Sequence, residues 1–270
     1  MEISGKTVLL TGASGGIGRA MAQRLADAGA RLLLAARDAE RLASQAAGLA
    51  AGALTVAADI ATASGRLAVV EAARAAAVDV VIHNAGIQEF GLFDEQDPAA
   101  LQRQLELNLS APMLLTRELL PLLQQHNEAA LVFVGSTFGS IGYAGFATYC
   151  ASKFGLRGFA ETLRRELSDS GVHVHYLAPR ATRTELNGPR VVALNAALGT
   201  AMDDPSVVAG ELLALLAGPR GSERFVGWPE KLFVRINGVL PRLVDAALAG
   251  KLSTVRRFAR QNFPARSSEP

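Results

Sequence analysis

The feature that most restricts the fold lies within the first twenty residues. Thr7-Val8-Leu9-Leu10 reads as a short apolar strand and Thr11-Gly12-Ala13-Ser14-Gly15-Gly16-Ile17-Gly18 as a glycine-rich turn. The helix that follows puts Met21, Leu25 and Ala28 on one side. A glycine cluster is informative in this setting, between a strand and a helix, because it lets the backbone come close to a ligand there. The first helical turn offers unpaired N–H groups, so the pair of features suits a pyrophosphate.

Further short apolar runs alternate with helical stretches. Arg31-Leu32-Leu33-Leu34-Ala35-Ala36, Leu54-Thr55-Val56-Ala57-Ala58-Asp59, Asp79-Val80-Val81-Ile82-His83, Leu131-Val132-Phe133-Val134 and Val172-His173-Val174-His175-Tyr176-Leu177 read as strands, and Arg224-Phe225-Val226-Gly227 as a last one. Without repeats or low-complexity tracts, this alternation predicts an α/β fold: a Rossmann-like, doubly wound parallel sheet in one domain. Ligands of such sheets bind beyond the carboxyl ends of the strands. Gly12, Arg37, Asp59, Asn84, Ser136 and Pro179 all fall at or just after strand ends.

Several of these positions have a chemical reading. In dinucleotide folds an acidic side chain near the end of the second strand binds the ribose 2′-OH, whereas Arg suits a 2′-phosphate. Ala36 is followed here by Arg37, a planar and permanently charged donor, with Asp38 one step later. NADP is therefore expected rather than NAD. Asp59 can accept from an adenine amino group or cap the helix beginning near Ala63. Asn84 can fix the turn after the fourth strand, and Gly86 gives a cofactor room there. His83, closing a buried strand, reads as structural. Between Leu101 and Leu123 the apolar residues recur at helical spacing, with Asn108 inside that helix, where Asn is disfavoured. Its amide can hold a water against Lys153 if the two helices are neighbours. After Ala178-Pro179, Thr182 or Thr184 can offer a hydroxyl to the nicotinamide end of a cofactor.

Tyr149 and Lys153 are four residues apart and so share one helical face. A free phenol keeps its proton at neutral pH, and an ammonium beside it is expected to lower its pKa toward the working range. Ser136 ends a buried strand, from which its hydroxyl can face that phenol.

Bulk properties narrow the class. The chain has 270 residues, of which half are hydrophobic and 19% charged, enough for one large α/β core rather than two domains. A net charge of +2 gives no argument for nucleic acid. The single cysteine, Cys150, excludes an intramolecular disulfide and a cysteine zinc cluster, and suits a reducing compartment. Residues 1–6 carry no apolar signal segment, and no window approaches 18 uninterrupted apolar residues. A soluble, cytoplasmic protein without a bound metal is expected.

With these motifs in place, the chain resembles the short-chain dehydrogenase/reductase family over roughly residues 5 to 228. The resemblance rests on the Thr11–Gly18 turn, Asn84-Ala85-Gly86, Asn108, Ser136, Tyr149 with Lys153, and Pro179. It implies that Tyr149 is the general acid/base, that Ser136 orients a substrate carbonyl, that Lys153 binds the nicotinamide ribose and tunes Tyr149, and that Asn108 anchors a relay water. It also implies that Gly12, Gly16 and Gly18 line the pyrophosphate turn, with Ser14, Arg19 and Arg37 as candidates for the adenosine phosphate. His83 and Arg180 stand where the family more usually has Asn and Gly. The implied activity is NADPH-dependent reduction of a ketone, or the reverse oxidation of an alcohol, on a small and fairly apolar or acyl-type substrate. A homodimer or homotetramer is expected. The alternative is a dinucleotide-binding scaffold without catalysis, against which the presence of all four of Asn108, Ser136, Tyr149 and Lys153 argues.

Thr182 to about Val207, small and apolar in large part, is expected to form a substrate lid. Residues 1–228 are read as the catalytic domain and 229–270 as a basic amphipathic helical extension. From Arg220 onward there are ten Lys/Arg and four Asp/Glu, a net of +6, against −4 for the remainder. Pro241 predicts two short helices in this extension. Residues 231–263 suit either a peripheral membrane or acyl-chain contact, or packing on the subunit. Residues 265–270 read as disordered.

Overall fold

In the computed structural model, which describes residues 1–260, seven parallel strands form one sheet in the order β3-β2-β1-β4-β5-β6-β7. They are β1 (Thr7–Thr11), β2 (Arg31–Ala36), β3 (Leu54–Ala57), β4 (Val80–His83), β5 (Ala129–Val134), β6 (Val172–Ala178) and β7 (Glu223–Phe225). The helices among the described residues are α1 (Gly16–Asp27), α2 (Ala39–Ala47), α3 (Ala63–Ala75), α4 (Pro98–Leu105), α5 (Ala111–Leu123), α6 (Ala147–Glu166), α7 (Pro189–Ala197), α8 (Pro205–Leu216), α9 (Glu230–Val239), α10 (Pro241–Ala249) and α11 (Leu252–Ala259). The central strands β1, β4, β5 and β6 are buried at every position. That is why β1, β4 and β5 read as mainly apolar runs rather than alternating ones, whereas β6 interleaves His173 and His175 with valines although both histidines are buried. The expected residues 265–270 lie outside the described chain.

Two apolar layers sandwich the sheet. On one face Met21 and Leu25 of α1 and Leu212 of α8 pack with Leu10 and Leu34. On the other, Val69 of α3, Leu115 and Leu119 of α5 and Leu156 of α6 pack with Leu9 and Phe133. β1 has β2 on one side and β4 on the other, so the strand order reverses there. A crevice necessarily opens at this point, beyond the strand ends, because the connecting helices depart to opposite faces.

Three local expectations are corrected. The run from Leu101 to Leu123 is not one α-helix: a π-turn over Glu106–Ser110 separates α4 from α5, and Asn108 lies in it. The cap of α3 is Thr62, whose side chain accepts from the Gly65 amide, rather than Asp59. The C-terminal extension holds three short helices instead of two, because the chain breaks at Gly250-Lys251 as well as at Pro241. His83 is structural as expected: it is buried, stacks on Phe133 at 4.9 Å and bonds Thr116 at 2.9 Å. Burial holds its pKa down at about 3, so it stays neutral.

Candidate active site

The turn between β1 and α1 is shaped so that only glycine fits at its critical points. Gly12 has φ +63°, and a Cβ there would lie 2.6 Å from the Ala85 Cα. A Cβ on Gly18 would lie 2.2 Å from the Gly12 carbonyl oxygen. The turn is tied to the end of β4 by polar side chains. The Asn84 amide donates to the carbonyls of Thr11 and Gly12 at 3.2 and 3.1 Å, and the Thr11 hydroxyl accepts from the Asn84 amide N–H at 3.0 Å. Gly15 caps α1 without any side-chain hydrogen bond, which leaves that helix N-terminus open to a ligand. Around it lies a cleft of about 670 Å³, lined by Gly12, Ser14, Gly16, Ile17 and Gly18 from the turn, Arg37 and Asp59 from the ends of β2 and β3, and Asn84 and Gly86 after β4.

The far end of this cleft is cationic. Arg37 is exposed and has no hydrogen-bond or ion-pair partner among the described residues. Asp38 caps α2 by accepting from the Arg41 amide at 3.0 Å and pairs with the Arg41 guanidinium at 3.2 Å. Its carboxylate is thus engaged in its own helix. Arg41, which also lines the cleft, is a second cation that no motif pointed to. Arg19, by contrast, spans from the Ser14 carbonyl (3.3 Å) to Glu185 (2.8 Å) across the cleft mouth. Asp59 lines the cleft and accepts from the Ala61 amide at 3.0 Å. A cradle in which Cβ atoms would collide with backbone and an open helix N-terminus together fit the pyrophosphate of a dinucleotide.

The four polar residues singled out by the sequence stand at the near end. Ser136 follows β5, and α6 carries Tyr149 and Lys153. The Ser136 side chain stands close enough to the Tyr149 phenol to favour its ionised form, while its hydroxyl accepts from the Phe138 amide at 3.1 Å. The Lys153 ammonium donates to the Val134 carbonyl at 3.0 Å and lies 5.8 Å from the centre of the Tyr149 ring. Asn108 is buried, and its π-turn aims it between two segments: its Oδ1 accepts from the Ile87 amide (2.9 Å), and its Nδ2 donates to the Ile87 carbonyl (2.9 Å) and to Ser152 Oγ (3.2 Å). Ser152 in turn donates to the Tyr149 carbonyl at 2.7 Å, a link that spacing did not reveal. A Cβ on Gly86 would stand 3.1 Å from Asn108 Oδ1 and 3.7 Å from Lys153 Nζ. A glycine there keeps the cleft wall thin where it meets the Lys153 ammonium.

Electrostatics at this end are set by burial. The Tyr149 phenol is pushed up to about 12 by desolvation, an effect that the nearby Ser136 side chain only partly offsets and to which Cys150 adds. Burial also holds Lys153 down at about 8. The expectation that Lys153 would lower the Tyr149 pKa is therefore reversed in the isolated chain. The ammonium faces the ring and the Val134 carbonyl, and it adds nothing that offsets the desolvation of the phenol. At neutral pH the phenol keeps its proton and the amine its charge. Tyr176, on the neighbouring strand, is a further residue of this site that sequence reading missed. Its hydroxyl sits beneath the Ser136 loop, 3.4 Å from the Ser136 amide nitrogen, and a Cβ on Gly135 or Gly139 would collide with it.

The segment after β6 differs from expectation. Thr182 is buried and donates to the Arg180 carbonyl at 2.9 Å, so it does not reach the cleft. Thr184 lines it instead, with its methyl 2.8 Å from where a Gly16 Cβ would be. The Pro179 carbonyl accepts from the Thr137 amide at 2.9 Å and so braces the Ser136 loop from outside the cleft. Arg180 forms a bidentate pair with Asp203 (2.9 and 2.7 Å) and also donates to the Trp228 carbonyl (2.7 Å) and Glu230 (3.2 Å). Its side chain lies against Gly227, where φ is +90° and no Cβ could fit. An Arg at this point clamps the post-β6 loop to the start of α9.

Beyond Tyr149 the site is closed by apolar side chains. Phe90, Phe146, Val191 and Leu194 of the loops and α7 form one buried cluster with Tyr149, and α11 adds Val255 and Phe258 to it. Arg190 latches the cluster by donating to the Ala259 carbonyl at 3.0 Å and the Phe90 carbonyl at 3.1 Å.

Residues 6–193 match the model of the short chain dehydrogenase family. Nodulation protein G of Rhizobium sp. (strain N33) is 34% identical over 222 residues, covering 80% of this chain and 91% of that protein. Two solved structures are similar at 28% identity each. The 3-ketoacyl-(acyl-carrier-protein) reductase of Brucella melitensis, complexed with NADH, matches with a TM-score of 0.76 over 84% of this chain and 99% of that one. A protein of Beutenbergia cavernae described as an NAD(P)-dependent gluconate 5-dehydrogenase, with NADP bound, matches with a TM-score of 0.75 over 83% and 97%. The chain belongs to the short-chain dehydrogenase/reductase family. It is an oxidoreductase of CH–OH and C=O groups that uses a pyridine nucleotide.

Proposed function

We propose that this protein is an NADPH-dependent reductase of ketones, running in reverse as an alcohol dehydrogenase, on an apolar or acyl-type substrate in the cytoplasm. The observation that carries the reading is the Tyr149 phenol: buried, protonated, beside Ser136 and one helical turn from Lys153. The nucleotide supplies hydride chemistry when bound. The chain's own residues do the rest. Ser136 orients the carbonyl oxygen, and Tyr149 gives that oxygen its proton. Lys153 holds the nicotinamide ribose and replaces the phenol's lost charge balance, while Asn108 fixes Ile87 and the wall between the two helices. Gly12, Ser14, Gly16, Ile17 and Gly18 cradle the pyrophosphate with Asn84, Gly86 and Pro179 as supports, and Asp59 takes the adenine.

The preference for NADPH follows from Arg37, which is free to meet a 2′-phosphate while Asp38 is held in its helix cap. Of the two hydroxyls after Pro179, Thr184, which lines the cleft, serves the cofactor rather than Thr182. An apolar substrate follows from the cluster that surrounds Tyr149. A homodimer or homotetramer is supported by Met113, Leu114 and Phe154, which leave apolar surface exposed on α5 and α6. Residues 229–270 act as an extension of the catalytic domain, with α11 providing the acyl-chain contact.

One experiment tests cofactor and substrate together. Wild type and Arg37→Gln are assayed with NADPH and NADH against ketones graded by chain length. We expect kcat/KM to rise with chain length, and Arg37→Gln to lose roughly ten- to hundredfold with NADPH but little with NADH. Equal losses on both nucleotides would reject the phosphate contact, and a preference for short polar ketones would reject the substrate class.

A further inference from the structure

α9 is amphipathic in the reverse sense. Val234 is buried and Asn237 donates to the Ser140 carbonyl at 2.8 Å, so one side of the helix holds it to the body. At helical spacing, Leu232, Ile236 and Val239 fall on the opposite side, and Leu240 follows at the joint with α10. Leu232, Val239 and Leu240 are 45, 78 and 53% exposed. α10 repeats the arrangement: Val244 is buried and Leu243 is 61% exposed. With Trp228 and Phe233, also exposed, the helical pair presents an apolar surface with an indole at its edge.

Charge decides what this surface fits. Residues 229–260 hold seven Lys/Arg and two Asp/Glu, a net of +5, and one of the two acids, Glu230, is paired with Arg180. Arg235 and Arg242 are exposed beside the apolar residues. A second copy of the chain would bring like charges together around this face, which opposes association. An anionic lipid surface matches both features, since apolar side chains enter the acyl boundary while Arg and Lys meet the headgroups. No helix among the described residues is long and apolar enough to cross a membrane, so the pair would lie in the interface plane.

We propose that the α9–α10 pair docks the enzyme on anionic lipid bilayers. This proposal stands on exposure and charge and does not depend on the redox reading, because its test reads sedimentation rather than turnover.

The full chain is sedimented with phosphatidylcholine vesicles with and without phosphatidylglycerol, beside the variants Leu240→Glu/Leu243→Glu and Arg235→Gln/Arg242→Gln. We expect binding only to the anionic vesicles, weakened by added salt. The acidic double variant should lose it, and the Gln double variant should weaken it about thirtyfold. These side chains are exposed, so near-native circular dichroism and an unchanged mass are expected of both variants. Absence of binding to either vesicle overturns the proposal, as does equal binding to both. A fall in mass for Leu240→Glu/Leu243→Glu in light scattering would assign the face to a second copy instead.

Discussion

The two ends of the site are built in opposite ways. The nucleotide cleft is an open space of about 670 Å³ whose walls are main chain: the Thr11–Gly18 turn, the Asn84–Gly86 turn and the start of α1. The surroundings of Tyr149 are packed instead, with side chains from the loop at Phe90, from α6 and α7, and from α11 near the other end of the chain. Backbone recognition needs glycines at fixed spacing, so it leaves a motif. Side-chain recognition needs only apolar residues that happen to meet, so it leaves none.

This contrast makes separable predictions. Gly12→Ala strikes the cleft, because its Cβ would meet backbone at 2.6 Å in a left-handed conformation. Nucleotide affinity should fall about a hundredfold in equilibrium titration, with circular dichroism near native. If substrate selectivity shifted while nucleotide affinity stayed intact, the division would break. Phe258→Ala strikes the apolar cluster around Tyr149. Removing a buried aromatic ring should cost about 3 kcal/mol of α11 docking, read as faster proteolysis of the C-terminal helices and a severalfold change in KM for long ketones. Nucleotide affinity should not move; a parallel loss there would show that the two ends are one cooperative unit.

The same contrast explains what the sequence disclosed. The strand–glycine–helix order, the Arg37 position at the end of β2 and the Tyr149/Lys153 spacing are local, and each lies where it was expected. Asn108 was found as a residue but not as a π-turn, because a single added residue in a helical ladder does not alter an apolar period enough to be read. Thr182 and Thr184 could not be told apart, since both are hydroxyls of one loop and only the backbone's fold there turns the first back onto the Arg180 carbonyl two residues earlier. Arg180 itself was conspicuous as a departure from the family, yet its partners Asp203 and Glu230 lie far along the chain. The electrostatic expectation failed for a related reason. Spacing placed an ammonium beside the phenol, but the sign of the shift depends on burial, which spacing does not show.

The central claim is that Tyr149 is the proton donor at the packed end of an otherwise intact nucleotide site. Tyr149→Phe keeps the ring in its apolar setting and removes only the hydroxyl. NADPH binding by this variant should equal that of wild type, while ketone turnover should fall by about a hundredfold or more. A variant that reduces ketones at the wild-type rate would contradict the account.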